Sequence, residues 1–503
     1  MAEQTIAQPA APVVVPRRSM ILAAALLATF MPAVESAIVA TAMPTIVADL
    51  GGFALFSWVF AVPLLTMAVT IPLYGRLADI YGRRRVFFIG TGIFLVGTTL
   101  CGFAQTTVTL IVFRAIQGLG SGAIQPIAST IVGDVYTPAE RAHVQGWISS
   151  VFGVAAVAGP ALGAFLVEHV HWAAVFWINL PVGVLSIAMF AVFLPEKIER
   201  RPHRLDYLGG VLLVVGIGAL MLALVQATTL SGGEIAALVA FGGAALAWLF
   251  AHERRAPEPL LPFPLWRRPV IVLSNVAGFG ASMTMMAVTA LLPIYVQGVM
   301  GRSPGVAGFV VASTSVSWMF ASMIAGRLMV RTSYRLTAAI GGAALVAGSL
   351  VLILLDPSSS PLLPASGAFL IGIAMGFCNT TFLVAIQATV AWNERGVGTG
   401  SQMFMRMFGQ SVGAALFGAI VNFGVESRMP GGSDAVNKLL HPALRRYLDP
   451  ADMARLGDAV AWSAHEAYLV VVVIAALTLA VCLAFPAGLS PTRPVRDMRD
   501  KPA

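Results

Sequence analysis

The chain has 503 residues, of which 58% are hydrophobic and only 11% charged, with a mean hydropathy of +0.85. That is far more apolar surface than one soluble core can bury, so the composition excludes a soluble globular protein and predicts a polytopic membrane protein. The net charge of +8 then belongs to membrane topology and not to a nucleic-acid partner.

Apolar windows bounded by glycine, proline and charged breaks predict about fourteen helical spans, centred near residues 31, 64, 95, 120, 155, 183, 217, 242, 284, 317, 345, 376, 411 and 477. An even count puts both termini on one side. Of the 31 Lys and Arg, 23 fall in the termini and the even-to-odd loops, six in the opposite loops, and Arg114 and Arg406 inside spans. Five of those six belong to one long loop, which counts little, so the tails 1–18 and 489–503 are expected on the cytoplasmic side. Arg17-Arg18 precede an apolar stretch that runs far past a signal-peptide core, carries an acid and lacks a small-residue cleavage site. It reads as a retained first span.

Span one, from Met20 to Ala48, holds Glu35 well away from both ends, the only one of the 23 acidic residues deep inside an apolar span. A fixed charge there costs roughly 2.5–3.5 kcal/mol, which marks the residue as a working part. Low dielectric favours a neutral acid, so such a group can alternate between proton-loaded and proton-free states. The structural alternative is a packing acid paired permanently with one partner. After span two comes Gly75-Arg76-Leu77-Ala78-Asp79-Ile80-Tyr81-Gly82-Arg83-Arg84-Arg85. Its glycines permit a tight turn, and Asp79 stands where a carboxylate can hold the positive N-terminus of a neighbouring helix from the other half, while Arg84 and Arg85 read as topological anchors.

Span four contains Arg114-Ala115-Ile116-Gln117-Gly118-Leu119-Gly120. Glu35 is the only carboxylate at similar depth in the amino-terminal half, so an ion pair or a water-bridged contact with Arg114 is expected. In the alternative, Arg114 bonds backbone carbonyls near a proline or glycine break, with Gln117 and Gln125 lining the cavity. In span five, Gly153, Gly159 and Gly163 let helices approach closely and Pro160 removes a backbone bond and kinks the span, although ordinary small-residue packing would use the same residues.

Pro195–Asp206 and His252–Arg268 are charged and proline-rich, and read as cytoplasmic linkers around spans seven and eight. Gly326-Arg327-Leu328, running on to Arg335, repeats the Gly75 pattern 251 residues later, and Glu140-Arg141 has a counterpart in Glu394-Arg395. The expected organisation is a six-helix half over 19–194, linkers and inserted spans over 195–268, and a second six-helix half over 269–488, with the site in the midplane cleft between the halves. No acid lies deep in the second half. Arg406 in span thirteen is its lone deep charge, expected near the cytoplasmic end and snorkelling, with a substrate-anion contact as the alternative. Residues 425–465 read as an outer loop with one or two short amphipathic helices, starting at Ser433-Asp434 and at Asp449-Pro450, or as a plain solvated connector. Cys101, Cys378 and Cys482 fall inside spans and suggest buried apolar residues, with no disulfide or metal framework.

Gly75 to Arg85 closely resembles the cytoplasmic signature of the major facilitator superfamily, in which the helix facing Asp79 is span thirteen. The resemblance implies a conformational latch of Gly75, Asp79, Gly82 and Arg83 that holds only while the cytoplasmic side is closed. Arg114 to Gly120 resembles the superfamily's second motif, whose arginine is associated with proton coupling, and this implies Glu35 and Arg114 as the coupling residues. Gly153, Gly159, Pro160 and Gly163 resemble the antiporter motif that separates exporters from importers. Glu35 to Ile46 is similar to the span-one motif of the fourteen-span drug:proton antiporters of the EmrB/QacA type, with Glu where Asp is usual. Trp177-Ile178-Asn179-Leu180-Pro181 and Leu292-Pro293-Ile294-Tyr295-Val296-Gln297 are familiar in that family as well, and the likeness runs from about residue 19 to 488. It implies an all-α polytopic protein of fourteen transmembrane helices, two six-helix halves plus two inserted helices, in the bacterial cytoplasmic (inner) membrane. The cavity and substrate candidates are Gln117, Gln125, Asn179, Tyr295, Gln297, Asn379 and Arg406.

The expected function is a proton-coupled antiporter that exports amphipathic drug-like compounds, cationic ones above all, by alternating access. Export of an endogenous lipid, siderophore or metabolite by the same mechanism is the alternative, and a passive channel or receptor is a remote one. With Glu35 the only deep carboxylate, a lipophilic monocation and a proton are expected to compete for one negative site. Neither catalysis, metal nor cofactor is expected. All seven histidines lie at or beyond span ends, the three lysines lie in loops or tails, and there is no P-loop pattern. These absences exclude haem redox, respiratory proton pumping and direct use of ATP. The energy source is then the proton gradient, and the partners are small lipophilic molecules and the bilayer, with no nucleic acid. A monomer is expected to suffice, and a periplasmic adaptor stays open.

Overall fold

The computed structural model describes residues 17–50, 56–195, 206–225, 230–255, 265–429, 450–486 and 489. Most of both expected tails and both linkers, and the Ser433-Asp434 helix start, lie outside the described residues. Within them the chain is helical throughout: α1 (Arg18–Leu50), α2 (Phe56–Tyr81), α3 (Arg83–Cys101), α4 (Thr107–Val135), α5 (Pro138–His169), the short α6 (Ala174–Trp177), α7 (Asn179–Phe193), α8 (Tyr207–Val225), α9 (Gly232–Glu253), α10 (Pro269–Ile294), α11 (Pro304–Arg331), α12 (Tyr334–Ile353), α13 (Leu362–Thr389), α14 (Arg395–Arg428) and α15 (Pro450–Leu483). All the expected span centres fall inside a helix. Among the described residues, 11 helical stretches are long and apolar enough to cross a membrane: α1, α3, α4, α6 with α7, and α9 to α15.

Local chemistry sets several boundaries. At the start of α5, Glu140 accepts from the Thr137 backbone at 2.8 Å while the Thr137 hydroxyl accepts from the Glu140 backbone, and Pro138 occupies the first turn, where its missing N–H costs nothing. Ser231 and Glu234 close the same box on α9. Gly82, with φ 94°, makes the one-residue turn between α2 and α3, a left-handed conformation that favours glycine.

Packing repeats. In the first half α1 lies on α5 and α7, while α2 and α3 lie on α4; in the second, α10 lies on α14 and α15, while α11 and α12 lie on α13. Lipid tails are as apolar as leucine, so such contacts form by close van der Waals packing rather than by a hydrophobic drive. Phe87 and Phe190, for example, meet edge to face at 4.7 Å in the first half. The halves join along two equivalent seams, α2 against α14 and α5 against α11. The inserted helices break this symmetry: α8 and α9 pair with each other, and α8 rests on both α2 and α14, over the first seam.

One expectation needs correction. Asp449-Pro450 does not start a short surface helix, because α15 runs unbroken from Pro450 for 34 residues into the last span. At 1.5 Å per residue it is about 51 Å long, well beyond a ~30 Å hydrocarbon core, so its charged first turns extend past the bilayer. They are no free connector either: Leu456, Val460 and Ala464 are buried in the core of the second half.

Candidate functional site

Glu35 is 4% exposed and Arg114 6% exposed, both enclosed within the first half. The Nη1 of Arg114 donates to Glu35 Oε1, forming an ion pair. Arg114 and Gln117 stand one turn apart on α4 and so share a face. The same Nη1 donates to Gln117 Oε1 at 2.6 Å, while Gln117 Nε2 donates to Glu35 Oε2 at 2.9 Å and also to Thr98 of α3. Asn179 Nδ2, at the start of α7, reaches Glu35 Oε2 at 3.4 Å. Arg114 Nε donates to the Val59 carbonyl of α2 at 3.2 Å, and its guanidinium lies 5.9 Å from the Phe176 ring. The two readings of Arg114, ion pair or backbone anchor, are thus both present in one residue. Charge decides what this cluster can do: ionised Glu35 is matched by Arg114, whereas protonating it leaves a buried cation without a counter-charge. A cation competing for Glu35 would therefore have to displace Arg114 from it. Gln117 and Asn179, each 1% exposed, belong to this cluster and do not line a cleft between the halves.

A second polar cluster lies at the face that carries the basic loops. Asp79 accepts from the backbone N–H of Gly396 at 3.0 Å and of Val397 at 2.9 Å, at the first turn of α14. A carboxylate there meets free N–H groups and the positive end of the helix dipole. The approach requires glycine on both sides, since a Cβ on Gly75 would stand 2.6 Å from the Gly396 carbonyl oxygen. Arg83 bridges Asp79 at 2.9 Å and Asp134 at 3.1 Å, donates to the Trp392 carbonyl at 2.6 Å and stacks on the Trp392 ring at 3.8 Å. Arg395 pairs with Asp134 at 2.9 Å, and Arg141 donates to the Gln387 carbonyl at 3.2 Å. The seal therefore ties α2, α3, α4 and α5 to α13, α14 and the turn before α14. Its equivalent at the other seam lacks the acid: Val330 stands in the repeat where Asp79 stands in the first copy.

Sequence reasoning missed Asp134, Trp392, Arg141 and Gln387. Asp134 did carry a signal, because an acid in the last turn of a helix opposes the dipole and so needs cationic partners.

The antiporter-like residues lie on α5, which packs against both α1 and α11. Gly159 of α5 faces Ala37 of α1, and Gly153 faces Met319 across the α5–α11 seam. Gly163 is buried, and α5 continues as helix through Pro160. Arg406 corrects another expectation: it does not snorkel but is 8% exposed, and its Nη2 donates to Gln125 Oε1 across the halves at 3.1 Å. No carboxylate pairs with it among the described residues. Together with Asn379, Gln402 and Ser282 it borders a void of about 10 Å³, room for one water at most. Tyr295 and Gln297 are not brought to this place. Tyr295 is 2% exposed in the apolar core of the second half, beside Tyr468, and Gln297 lies on the π-helical turn Tyr295–Val299 that ends α10.

Residues 25–414 match the family described as Major Facilitator Superfamily. The chain is 35% identical over 398 residues to Multidrug resistance protein 3 of Bacillus subtilis, covering 78% of each protein. It is 32% identical over 409 residues to the Multidrug transporter protein MdtP of the same organism, covering 81% of this chain and 76% of that one. A crystal structure of the human organic anion transporter MFSD10 (TETRAN) superposes with a TM-score of 0.63 at 13% identity, over 92% of this chain and 100% of that one, a likeness of fold alone.

Proposed function

The chain belongs to the major facilitator superfamily, and from that premise we propose that it is a proton-coupled antiporter exporting amphipathic drug-like compounds by alternating access. A multi-pass membrane transporter of the efflux kind, and not an enzyme, is what its relatives are. The finer reading places it with the fourteen-span EmrB/QacA type in a bacterial inner membrane, termini cytoplasmic, and the basic face of the seal on that same side. The observation that carries the coupling is the Glu35–Arg114 pair enclosed in one half.

In the sealed state Asp79 and the Asp134 pairs hold the cytoplasmic side shut. A proton arriving at Glu35 neutralises the acid, frees Arg114 from α1 and leaves it anchored on α2 and α4 through Val59 and Gln117. The α1–α4 contact then loses its strongest bond, and the first half can repack as the seal opens. Substrate entering from the cytoplasmic side favours the reverse step, in which Arg114 regains its carboxylate and the proton leaves. Gly153 and Gly159 keep α5 tight against α11 and α1 through this cycle.

Arg406 supports a second reading of substrate charge. It is a buried cation near the seam without a carboxylate among the described residues, whereas Glu35 already has its cation. Compounds bearing an anionic group, zwitterions included, then gain a partner that purely cationic ones do not. Glu35→Gln tests the coupling: the amide mimics the protonated acid, so the protein is expected to fold and bind substrate but to lose uphill export under a pH gradient. Undiminished uphill transport by that variant in vesicles would sink the assignment.

A further inference from the structure

The inserted helices enclose a cavity of about 270 Å³ on the outside of the bundle, between α8, α9 and α14 and over the α2–α14 seam. Leu213 and Ile217 of α8, Leu249 and Phe250 of α9, and Phe404 and Phe408 of α14 form its walls, with Pro72 of α2 at the seam and Trp266 at the basic end. Among the described residues Ser401 is the one hydroxyl in the lining, and no charged side chain enters it. The α14 wall runs from Val397 to Phe408, a rise of about 16 Å, close to half of a ~30 Å hydrocarbon core. The volume falls just under the roughly 300–1,000 Å³ of drug-sized sites. Size, depth and lining fit a hydrocarbon chain from one leaflet.

Among the described residues the rim carries exposed cations at its basic end. Arg254 lies over the ring of Phe250, itself a wall of the cavity, at 4.2 Å, and Arg254, Arg255 and Arg267 are exposed. Among the described residues the acids of that rim are withdrawn: Asp206 is bound to His252 at 2.9 Å, Glu253 is 3% exposed, and Glu394 pairs with Arg268 at 3.1 Å. A basic rim above an apolar slot on the basic side of a bilayer is complementary to an anionic lipid of that leaflet, headgroup outward and tail inward. The opposite seam, α5 against α11, carries exposed arginines at its basic end, Arg327 and Arg331 among them, but among the described residues it has no inserted cover and so no enclosed apolar slot beneath them.

We propose that this cavity binds the acyl chain of an anionic glycerophospholipid, with its phosphate among Arg254, Arg255 and Arg267, and that the bound lipid favours the sealed state. The bias follows from construction: walls from α14 and a contact from α2 meet only while Gly75 lies against Gly396, so a ligand of this shape binds one state better than the other. This goes beyond transport itself and does not depend on which compound is exported.

The full chain in nanodiscs would be exposed to trace phosphatidylglycerol or phosphatidylcholine, each carrying a photoactivatable acyl chain, and the labelled peptides mapped. Phosphatidylglycerol is expected to label segments 213–220, 246–250 and 404–408 several-fold more than phosphatidylcholine does. Arg254→Gln with Arg267→Gln should remove that preference, and Leu249→Trp should fill the cavity and remove the label there while labelling near α5 and α11 stays. Spin labels across the cytoplasmic mouth should report a larger sealed fraction in phosphatidylglycerol than in phosphatidylcholine. Equal labelling by the two lipids in the wild-type chain would overturn the proposal, as would label spread evenly over both seams or displacement of the lipid by a transported lipophilic compound. A sealed fraction that ignores lipid charge would overturn its second half.

Discussion

The two halves share a packing plan but bury charge in opposite ways. In the first half, Glu35 and Arg114 neutralise each other and every bond the cluster makes stays inside that half. In the second, Arg406 has no carboxylate among the described residues and reaches across to Gln125. A charge that is paired within one rigid unit can gain or lose a proton and change that unit's internal packing. A charge that spans the units instead reports whether they are together. On this account the first half carries the chemistry, the second half and the seal carry the conformational readout, and the protein couples them through α2, α3 and α4, which belong to both clusters.

Breaking the paired site should have the largest effect. Arg114→Gln leaves a buried carboxylate without its cation, and removing one partner of a buried pair costs about 3–5 kcal/mol. A large loss of thermal stability in detergent is expected. Glu35→Gln combined with Arg114→Gln should recover much of it, because the charge to be compensated is gone. If the double variant is as unstable as the sum of the two singles, the pair is not the unit described here.

The seal should be softer. Asp79→Asn removes the carboxylate from the α14 N-terminus, an interaction worth about 0.3–2 kcal/mol, and also takes one counter-charge from Arg83. Spin-label distances across the cytoplasmic mouth should shift toward the open population, and an unaltered distribution would count against the latch. Val330→Asp at the equivalent place in the repeat should not create a second latch, because α5 already caps its own N-terminus with Thr137 and Glu140; a newly narrowed distribution at that seam would contradict this.

Arg406→Gln should perturb stability least, since no acid among the described residues is orphaned and one charged hydrogen bond is exchanged for a neutral one, a difference of about 1 kcal/mol. Its effect belongs to selectivity. Export of compounds with an anionic group should fall relative to that of cations, and an unchanged ratio would remove Arg406 from the substrate path.

Much of this was legible in the chain, for reasons that differ from residue to residue. Glu35 announces itself because an acid in an apolar span is costly, and Asp79 because its glycines mark a close approach. The repeated glycine pattern, Gly75 and Gly326, falls on α2 and α11, one helix of each seam. Asp134, Trp392 and Gln387 were not readable as a seal, because Arg395, Arg83 and Arg141, which meet them in turn, lie 261, 309 and 246 residues away, and only the docking of the halves brings them together. Arg406 was misread because sequence gives depth along a helix but not which face turns inward. The first turns of α15 were misread because Asp452, Arg455 and Asp458 look like a soluble helix, although no proline interrupts the chain from there to Leu483.

The claim that joins these parts is that substrate binding returns Glu35 to Arg114 and expels its proton. Proton release on adding a transported compound to purified protein in weakly buffered detergent solution measures this directly. Wild-type protein is expected to release protons in proportion to bound substrate, and to bind more weakly as the pH falls and the acid fills, whereas Glu35→Gln should bind without release and without that pH dependence. Equal release from the two proteins would place the coupling proton elsewhere and contradict the account.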